Sequence, residues 1–356
     1  MSDPSGSRIT IVTDAWEPQV NGVVSTLRRT AACLREFGCA VETLTPTTFR
    51  TVACPTYPEI RLSLLPGRGV QQMLDNFRPD AVHIATEGPL GMAARRYLRR
   101  RGLRFTTSYH TQFPEYVRAR APIPVGWTYR ALRWFHNAAT RVMVNTDSMR
   151  RGLETRGFRN VVIWGRGVDT ELFRPGVAAA LDLPRPVFAY AGRVAVEKNL
   201  EAFLSLDLPG SKLVIGDGPA LEALKARFPK VHYAGYRFGQ DLVAHLAAAD
   251  VFVFPSRTDT YGLVMLEALA CGLPVAAFPV PGPRDVVQPG VTGVLHEDLR
   301  TAALGALDID RYACRDFAQE RSWQRATHQF AQQLVNVRTG DRVMVPTARR
   351  AVPLGG

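Results

Sequence analysis

Short apolar runs alternate with amphipathic stretches along most of the 356 residues. RITIVTD opens the chain as a strand-like run, EPQVNGVV follows as a loop, and STLRRTAACLREFG has the apolar spacing of a helix closed by Gly38. AVETLTP reads as the next strand. DAVHIAT (80–86), GPLGMAARRYLRRRG and FTTSYHT (105–111) repeat strand, helix, strand, and RVMVNTDSMRRGLETRG with NVVIWGRGVD completes the series. Strands separated by helices predict a parallel sheet covered on both faces, an open doubly wound α/β design.

A turn-rich joint, GRGVDTELFRPG, follows at about Gly165 to Pro175, and then the rhythm restarts. RPVFAYAGRV is a strand, EKNLEAFLSL a helix, and SKLVIGDGP a strand ending in a glycine turn. LEALKARF, VHYAGY, LVAHLAAAD, VFVFPS, GLVMLEALACG and LPVAAF continue it, so the second half predicts another nucleotide-binding type of sheet. The expected boundaries are 1–167 and 168–310 for two Rossmann-like domains, 311–337 for a closing helical segment, and 338–356 for a flexible tail rich in Arg, Pro and Gly. Ligands of such sheets sit beyond the carboxyl ends of the strands, so two of them facing each other would make one deep cleft.

Charge sharpens the picture. Residues 1–165 hold 23 arginines, no lysine and 12 acids, whereas the remainder holds 21 basic and 20 acidic residues, so nearly all of the net +12 sits on the amino-terminal half. A basic surface attracts phosphate-rich partners: nucleic acid, anionic lipid or nucleotide. Six arginines crowd ARRYLRRRGLR (94–104), Arg99 and Arg100 among them. Arg118 and Arg120 then mix with Trp127 and Trp134 in EYVRARAPIPVGWTYRALRWFHNAATR. Such a mixture suits an interface of anionic headgroups and acyl chains, or else an ordinary amphipathic helix with solvated arginines. Because the aromatics follow the arginines locally and match no nucleic-acid-binding motif, nucleic acid is the weaker expectation. No run reaches the length of a membrane span, and the first residues lack the apolar core of a secretion signal. The five cysteines form no CxxC pair, which fits free thiols in a reducing cytosol and excludes a zinc site of ordinary spacing.

Candidate chemistry falls at strand ends. In AYAGRVAVEKN, Gly192 lets the backbone turn closely, and Arg193 and Lys198 follow, two cations suited to a diphosphate or else two solvated surface charges. In SRTDTYGLVMLEALACGLPV a strand gives way to a turn and to a helix whose first N–H groups, around Tyr261, Gly262 and Leu263, favour an anion. Asp259 in that turn and Glu267 in the helix offer paired acceptor oxygens to sugar and ribose hydroxyls. His110 ends a strand and reads as a hydrogen-bond clamp, a structural histidine or a base. GDGP (216–219) is an incomplete dinucleotide fingerprint, which argues against a dehydrogenase. DID (308–310) has the spacing of a metal-binding DxD but lies in the approach to the closing helix.

The D-x7-E spacing of Asp259 and Glu267 resembles the E-x7-E signature of family-4 glycosyltransferases. Similarity extends through AGRVAVEKN, GDGPALEALKA, LVAHLAAADVFVFPS, GRGVDTELFRP, SYHTQF and DAWEPQVNGVVSTL, in the family's order. The resemblance implies a GT-B fold of two Rossmann-like domains facing across a cleft, with a C-terminal helix crossing back. It also implies a retaining, metal-independent transfer of a sugar from a UDP- or GDP-linked donor. By it, Arg193 and Lys198 hold the donor diphosphate, Glu267 the ribose and Asp259 the transferred sugar. His110 lies beside the sugar ring, and Gly22 is in the loop that approaches phosphate or acceptor. The first acid is usually Glu and is here shorter by one methylene, as in DT(F/Y)G variants that resemble mannosyl- and glycolipid-forming branches. The basic amino-terminal half then favours a lipid or lipid-linked acceptor such as diacylglycerol, with an enzyme peripheral at the cytoplasmic membrane face. A GDP-mannose-dependent mannosyltransferase is the nearest rival. A nucleic-acid-binding protein or a relative without turnover are the alternatives of another class.

Overall fold

The computed structural model describes residues 6–17, 19, 22–54, 57–110, 125–176, 178–259 and 261–346. The chain divides into two units, one of residues 1–166 and 323–356, the other of residues 167–322.

The first unit runs β1 (Gly6–Val12), α1 (Gly22–Glu36), β2 (Cys39–Leu44), β3 (Thr51–Cys54), β4 (Tyr57–Ser63), α2 (Gly67–Phe77), β5 (Ala81–Ile84) and α3 (Pro89–Arg100). It continues with β6 (Thr106–Ser108), α4 (Val125–His136), β7 (Arg141–Val144), α5 (Asp147–Glu154) and β8 (Val161–Ile163). Six strands pair in parallel in the order β2-β1-β5-β6-β7-β8. The chain leaves β1 in one direction and β5 in the other, and that reversal opens a crevice beyond their carboxyl ends. Alternation along β5 sends Ala81 into one core with Ile9, Ile11, Leu27 and Trp164, and Val82 and Ile84 into another with Val12, Leu90 and Phe105. His83 shares the first of these faces, edge-on to Trp164 and Phe330. The antiparallel hairpin β3–β4 and α2 fill residues 50–79, where periodicity assigned no element. Pro55 and Pro58 interrupt the alternation there.

The second unit runs β9 (Val187–Ala191), α6 (Leu200–Leu204), β10 (Ser211–Ile215), α7 (Leu221–Arg227), β11 (His232–Gly235), α8 (Gly239–Ala247) and β12 (Val251–Phe254). After these come α9 (Leu263–Ala270), β13 (Val275–Ala277), α10 (Pro281–Val286), β14 (Gly293–Leu295), α11 (Leu299–Gly305) and α12 (Arg311–Gln319). Its parallel sheet has the order β11-β10-β9-β12-β13-β14, so the reversal lies between β9 and β12. VFAYA and VFVF are buried on both faces, as strands covered by helices on either side must be. Val187, Ala189 and Ala191 enter one core with Phe252 and Phe254, and Phe188 and Tyr190 enter the other with Val251 and Val253.

Two boundaries need correction. The segment 311–337 does not act as one closing piece: α12 belongs to the second unit, and α13 (Trp323–Gln333) packs on α1 within the first. Trp323, Ala326, Phe330 and Ala331 join Leu27, Ala31 and Leu34 in one core, each large side chain contributing roughly 1.5–3 kcal/mol by leaving water. Nor is the start of the tail loose. Asn336 N–H donates to Asp341 O, Ser7 Oγ donates to Met344 O at 2.6 Å, and Val335 bridges Arg342. Residues 347–356 lie outside the described residues.

Candidate active site

Beyond the carboxyl ends of β9 and β12 the second unit gathers the residues that the sequence singled out. Gly192 follows β9 at a φ of +143°, with the Tyr190 hydroxyl 3.0 Å from where a Cβ would stand. That hydroxyl donates to the carbonyl of Arg193 at 2.9 Å and so holds the turn that presents the exposed Arg193 side chain. The GDGP turn after β10 gains a structural role here. A Cβ on Gly216 would lie 1.9 Å from the Gly192 carbonyl oxygen and one on Gly218 2.3 Å from that of Val194, so only glycines allow the two turns to meet. Asn199, at a φ of +56°, donates from Nδ2 to Pro255 O at 3.1 Å and ties the β9 loop to the β12 loop.

Lys198 and Asp259 come from those two loops and form an ion pair of 2.6 Å between Nζ and Oδ1, both side chains about one-fifth to one-quarter exposed. Asp259, shorter than the family's usual Glu, therefore still reaches the lysine. Its other oxygen, Oδ2, is buried and has no hydrogen-bond partner among the described residues. Gly262 opens α9 at a φ of +75°; a Cβ there would stand 2.8 Å from Met265 Cε and 2.9 Å from Phe254 Cζ. Its N-cap residue, Gly262, has no side chain to offer the first turn, and Met265 N–H donates to the Gly262 carbonyl at 2.9 Å; Tyr261 precedes the cap and Leu263 begins the helix. Glu267 lies one turn further on, half-buried, and burial pushes its carboxyl up to about 7. The site thus offers two cations, uncapped amides and two carboxylates with acceptor oxygens to spare, all from one unit. DID has no part in it: Asp310 caps α12 by accepting from Tyr312 N–H at 2.9 Å.

Gly22 and His110 belong to the first unit. Gly22 is the first residue of α1, where its carbonyl accepts from Thr26 Oγ1 at 2.6 Å. Strand β6 ends at Ser108, two residues earlier than the sequence implies, and His110 follows it, 9% exposed. Both ring nitrogens are engaged: Nε2 lies 2.8 Å from Ser108 Oγ, and Arg166 Nη2 donates to Nδ1 at 2.8 Å. Burial, then the Arg166 guanidinium, then His83 and His136 hold the ring well below the ordinary imidazole range. Asp14, just after β1, accepts from Leu90 N–H at 2.9 Å, Gly91 N–H at 3.3 Å and Thr86 Oγ1 at 2.9 Å, and so closes the amino end of α3. Sequence reasoning missed Asp14, Ser108, His83 and Arg166; an arginine between two glycines in GRGVD was the one visible signal.

Of the surface residues, Arg99 and Trp134 line one depression of about 370 Å³ together with Arg130, Arg133, Asn137 and Ala138. Arg100 is exposed on the last turn of α3, and Trp127 on α4 is 75% exposed. Arg118 and Arg120 lie outside the described residues. Arg95 is no surface charge: it stacks 3.6 Å from the Trp134 ring and donates to the carbonyls of Trp134 and Phe135.

Residues 20–172 match Glycosyltransferase Family 4, and residues 185–307 match Glycosyl transferases group 1. A GDP-mannose-dependent alpha-mannosyltransferase of Mycolicibacterium smegmatis is 30% identical over 338 residues, 86% of each chain. This chain belongs to glycosyltransferase family 4. A sulfoquinovosyl transferase of Arabidopsis thaliana is 31% identical over 310 residues, 78% of this glycosyltransferase and 61% of the plant protein. The fold of the transferase also matches Anabaena HepE, solved with UDP and glucose, with a TM-score of 0.67 at 16% identity over 91% of this chain and 98% of that one.

Proposed function

We propose that this glycosyltransferase is a retaining hexosyltransferase that moves a sugar from a nucleoside diphosphate to a hydroxyl of a lipid or lipid-linked acceptor. The observation that carries this reading is the Lys198–Asp259 ion pair between the loops after β9 and β12, with Arg193 in the first of those loops and Glu267 in the helix that follows the second. The donor diphosphate lies against Arg193, Lys198 and the first amides of α9, which stabilise the charge that grows as the bond from C1 to phosphate breaks. Glu267 accepts from the ribose hydroxyls, and Asp259 from the sugar. The acceptor oxygen bonds to C1 on the face that the phosphate leaves, and its proton passes to the departing phosphate oxygen. Two side-chain cations supply the compensating charge, so the reading calls for no metal ion.

GDP-mannose is the donor to test first, because relatives named as GDP-mannose-dependent alpha-mannosyltransferases align over most of the chain. The lipid side is supported by the arginine-lined depression beside Trp134. No described helix is long and apolar enough to cross a membrane. The test incubates the purified protein with UDP- and GDP-sugars and a total lipid extract, with and without chelator. The expected result is one glycosylated lipid, with α-configuration retained and the rate unchanged by chelation. Transfer to water alone with every donor, or complete loss on chelation, would sink the reading.

A further inference from the structure

Arg166 stands outside the chemistry described so far. We propose that it is a positioning residue of the transfer site, locking His110 as a neutral Nε2–H ring through a one-way chain of hydrogen bonds that ends at Thr106. The functional part rests on the placement of His110 beside the sugar; the chain itself does not.

The direction of the chain follows from donor and acceptor counts. A guanidinium has only donors, so His110 Nδ1, 2.8 Å from Arg166 Nη2, must accept. A neutral imidazole with a bare Nδ1 carries its proton on Nε2, which then donates to Ser108 Oγ at 2.8 Å. Ser108 is 1% exposed, and its own hydrogen needs a partner. His83 Nε2 stands at 3.0 Å and accepts it. His83 is thereby the opposite tautomer, protonated on Nδ1, and donates to Thr106 Oγ1 at 2.9 Å. Reversing any link sets two hydrogens face to face or strands a buried donor.

The groups facing the ring leave it no room for a second proton. Arg166 approaches from the segment after β8, His83 from β5 and His136 from α4, with the Trp164 ring at a centroid distance of 5.8 Å. The nearest carboxylate in this network, Glu87, is 2.9 Å from His136 Nε2 and is occupied there. His110 therefore contributes a fixed ring and no proton transfer, which leaves the acceptor's proton to the departing phosphate.

The decisive measurement is long-range ¹H–¹⁵N NMR of the full-length protein labelled at histidine, from pH 5.5 to 8. The expected spectrum has two rings that do not titrate, His110 as the Nε2–H tautomer and His83 as the Nδ1–H tautomer, assigned with H110Q and H83Q. Titration of His110 in the wild type, or identical tautomers, would overturn the proposal. Arg166→Met removes the donor and the nearest positive charge; because burial, His83 and His136 remain, His110 should begin to titrate only at the acid end of the range, and kcat/KM should gain an acid limb below about pH 6. Arg166→Gln, which still donates one N–H, should restore the flat profile. A uniform loss in Arg166→Met at every pH would mark the arginine as merely structural and refute the positioning role. If that variant fails to fold, the wild-type tautomers decide. Because the spectrum needs no substrate, failure of the proposed reaction and failure of the chain of bonds are separable.

Discussion

Burial raises the Glu267 carboxyl to about 7 because the charged form is drawn from water. A folded value above the ordinary 4.5 means that the folded chain binds this proton more tightly than the unfolded one. Its contribution to stability is therefore most favourable below about 4.5 and declines as pH rises to about 7. Glu267→Gln should raise Tm at pH 8 by roughly 2–4 °C per kcal/mol recovered and leave it unchanged near pH 4.5. The same change should weaken nucleotide-sugar binding about tenfold, since a charged acceptor to the ribose is lost. Calorimetry at both pH values and titration of donor check this; an equal Tm offset at both would contradict it. Asp259 and Glu267 were legible in the sequence because a strand, a turn and a helix in succession fix their spacing. Ser108, His83 and Arg166 were not, because their partnership links β5, β6 and the segment after β8, and no local period records it.

Helix α13 shows what element-level reading can and cannot carry. Its amphipathic spacing announces a helix with one buried face, yet that spacing is the same whichever sheet the face covers. The structure places Phe330, fully buried, 4.6 Å from Trp164 and 4.9 Å from His83 between ring centroids. Phe330→Ala should accordingly destabilise the first unit by about 3–5 kcal/mol and leave the second unit's nucleotide affinity intact. Thermal unfolding with and without donor separates the two effects. A loss confined to donor binding would mean that α13 serves the other unit. The hairpin β3–β4 escaped notice for a different reason: its partly exposed, proline-interrupted strands lack both the alternation and the continuous apolar run that mark a sheet strand.

On the scale of the whole molecule the charge asymmetry becomes a surface. Arg99 and Arg130 share one depression with an exposed tryptophan, whereas Arg95, drawn from the same basic run, is spent on the carbonyls that end α4. Counting arginines along the chain could not separate these fates. Each exposed cation near an anionic leaflet is worth about 1 kcal/mol, so the double variant Arg99→Ala, Arg130→Ala should lower partition onto anionic vesicles roughly 30-fold. Its Tm should stay within about a degree, and the wild-type binding should weaken with salt. Sedimentation with vesicles of phosphatidylglycerol and phosphatidylcholine at two ionic strengths tests this. Undiminished partition would remove the depression from the account of lipid contact.

Alternation of apolar runs and amphipathic stretches was enough to determine two parallel sheets wound with helices, and the sequence located Arg193, Lys198 and Asp259, the residues proposed to hold the donor, in the loops after strands. Both are local properties, written within a dozen or so neighbouring residues. Only the tertiary structure decided where the closing segment divides between the units, which arginines are structural, and which partners surround His110. Those outcomes depend on partners far apart in the chain, and a buried face or a free donor does not name its partner until the fold has brought one within reach.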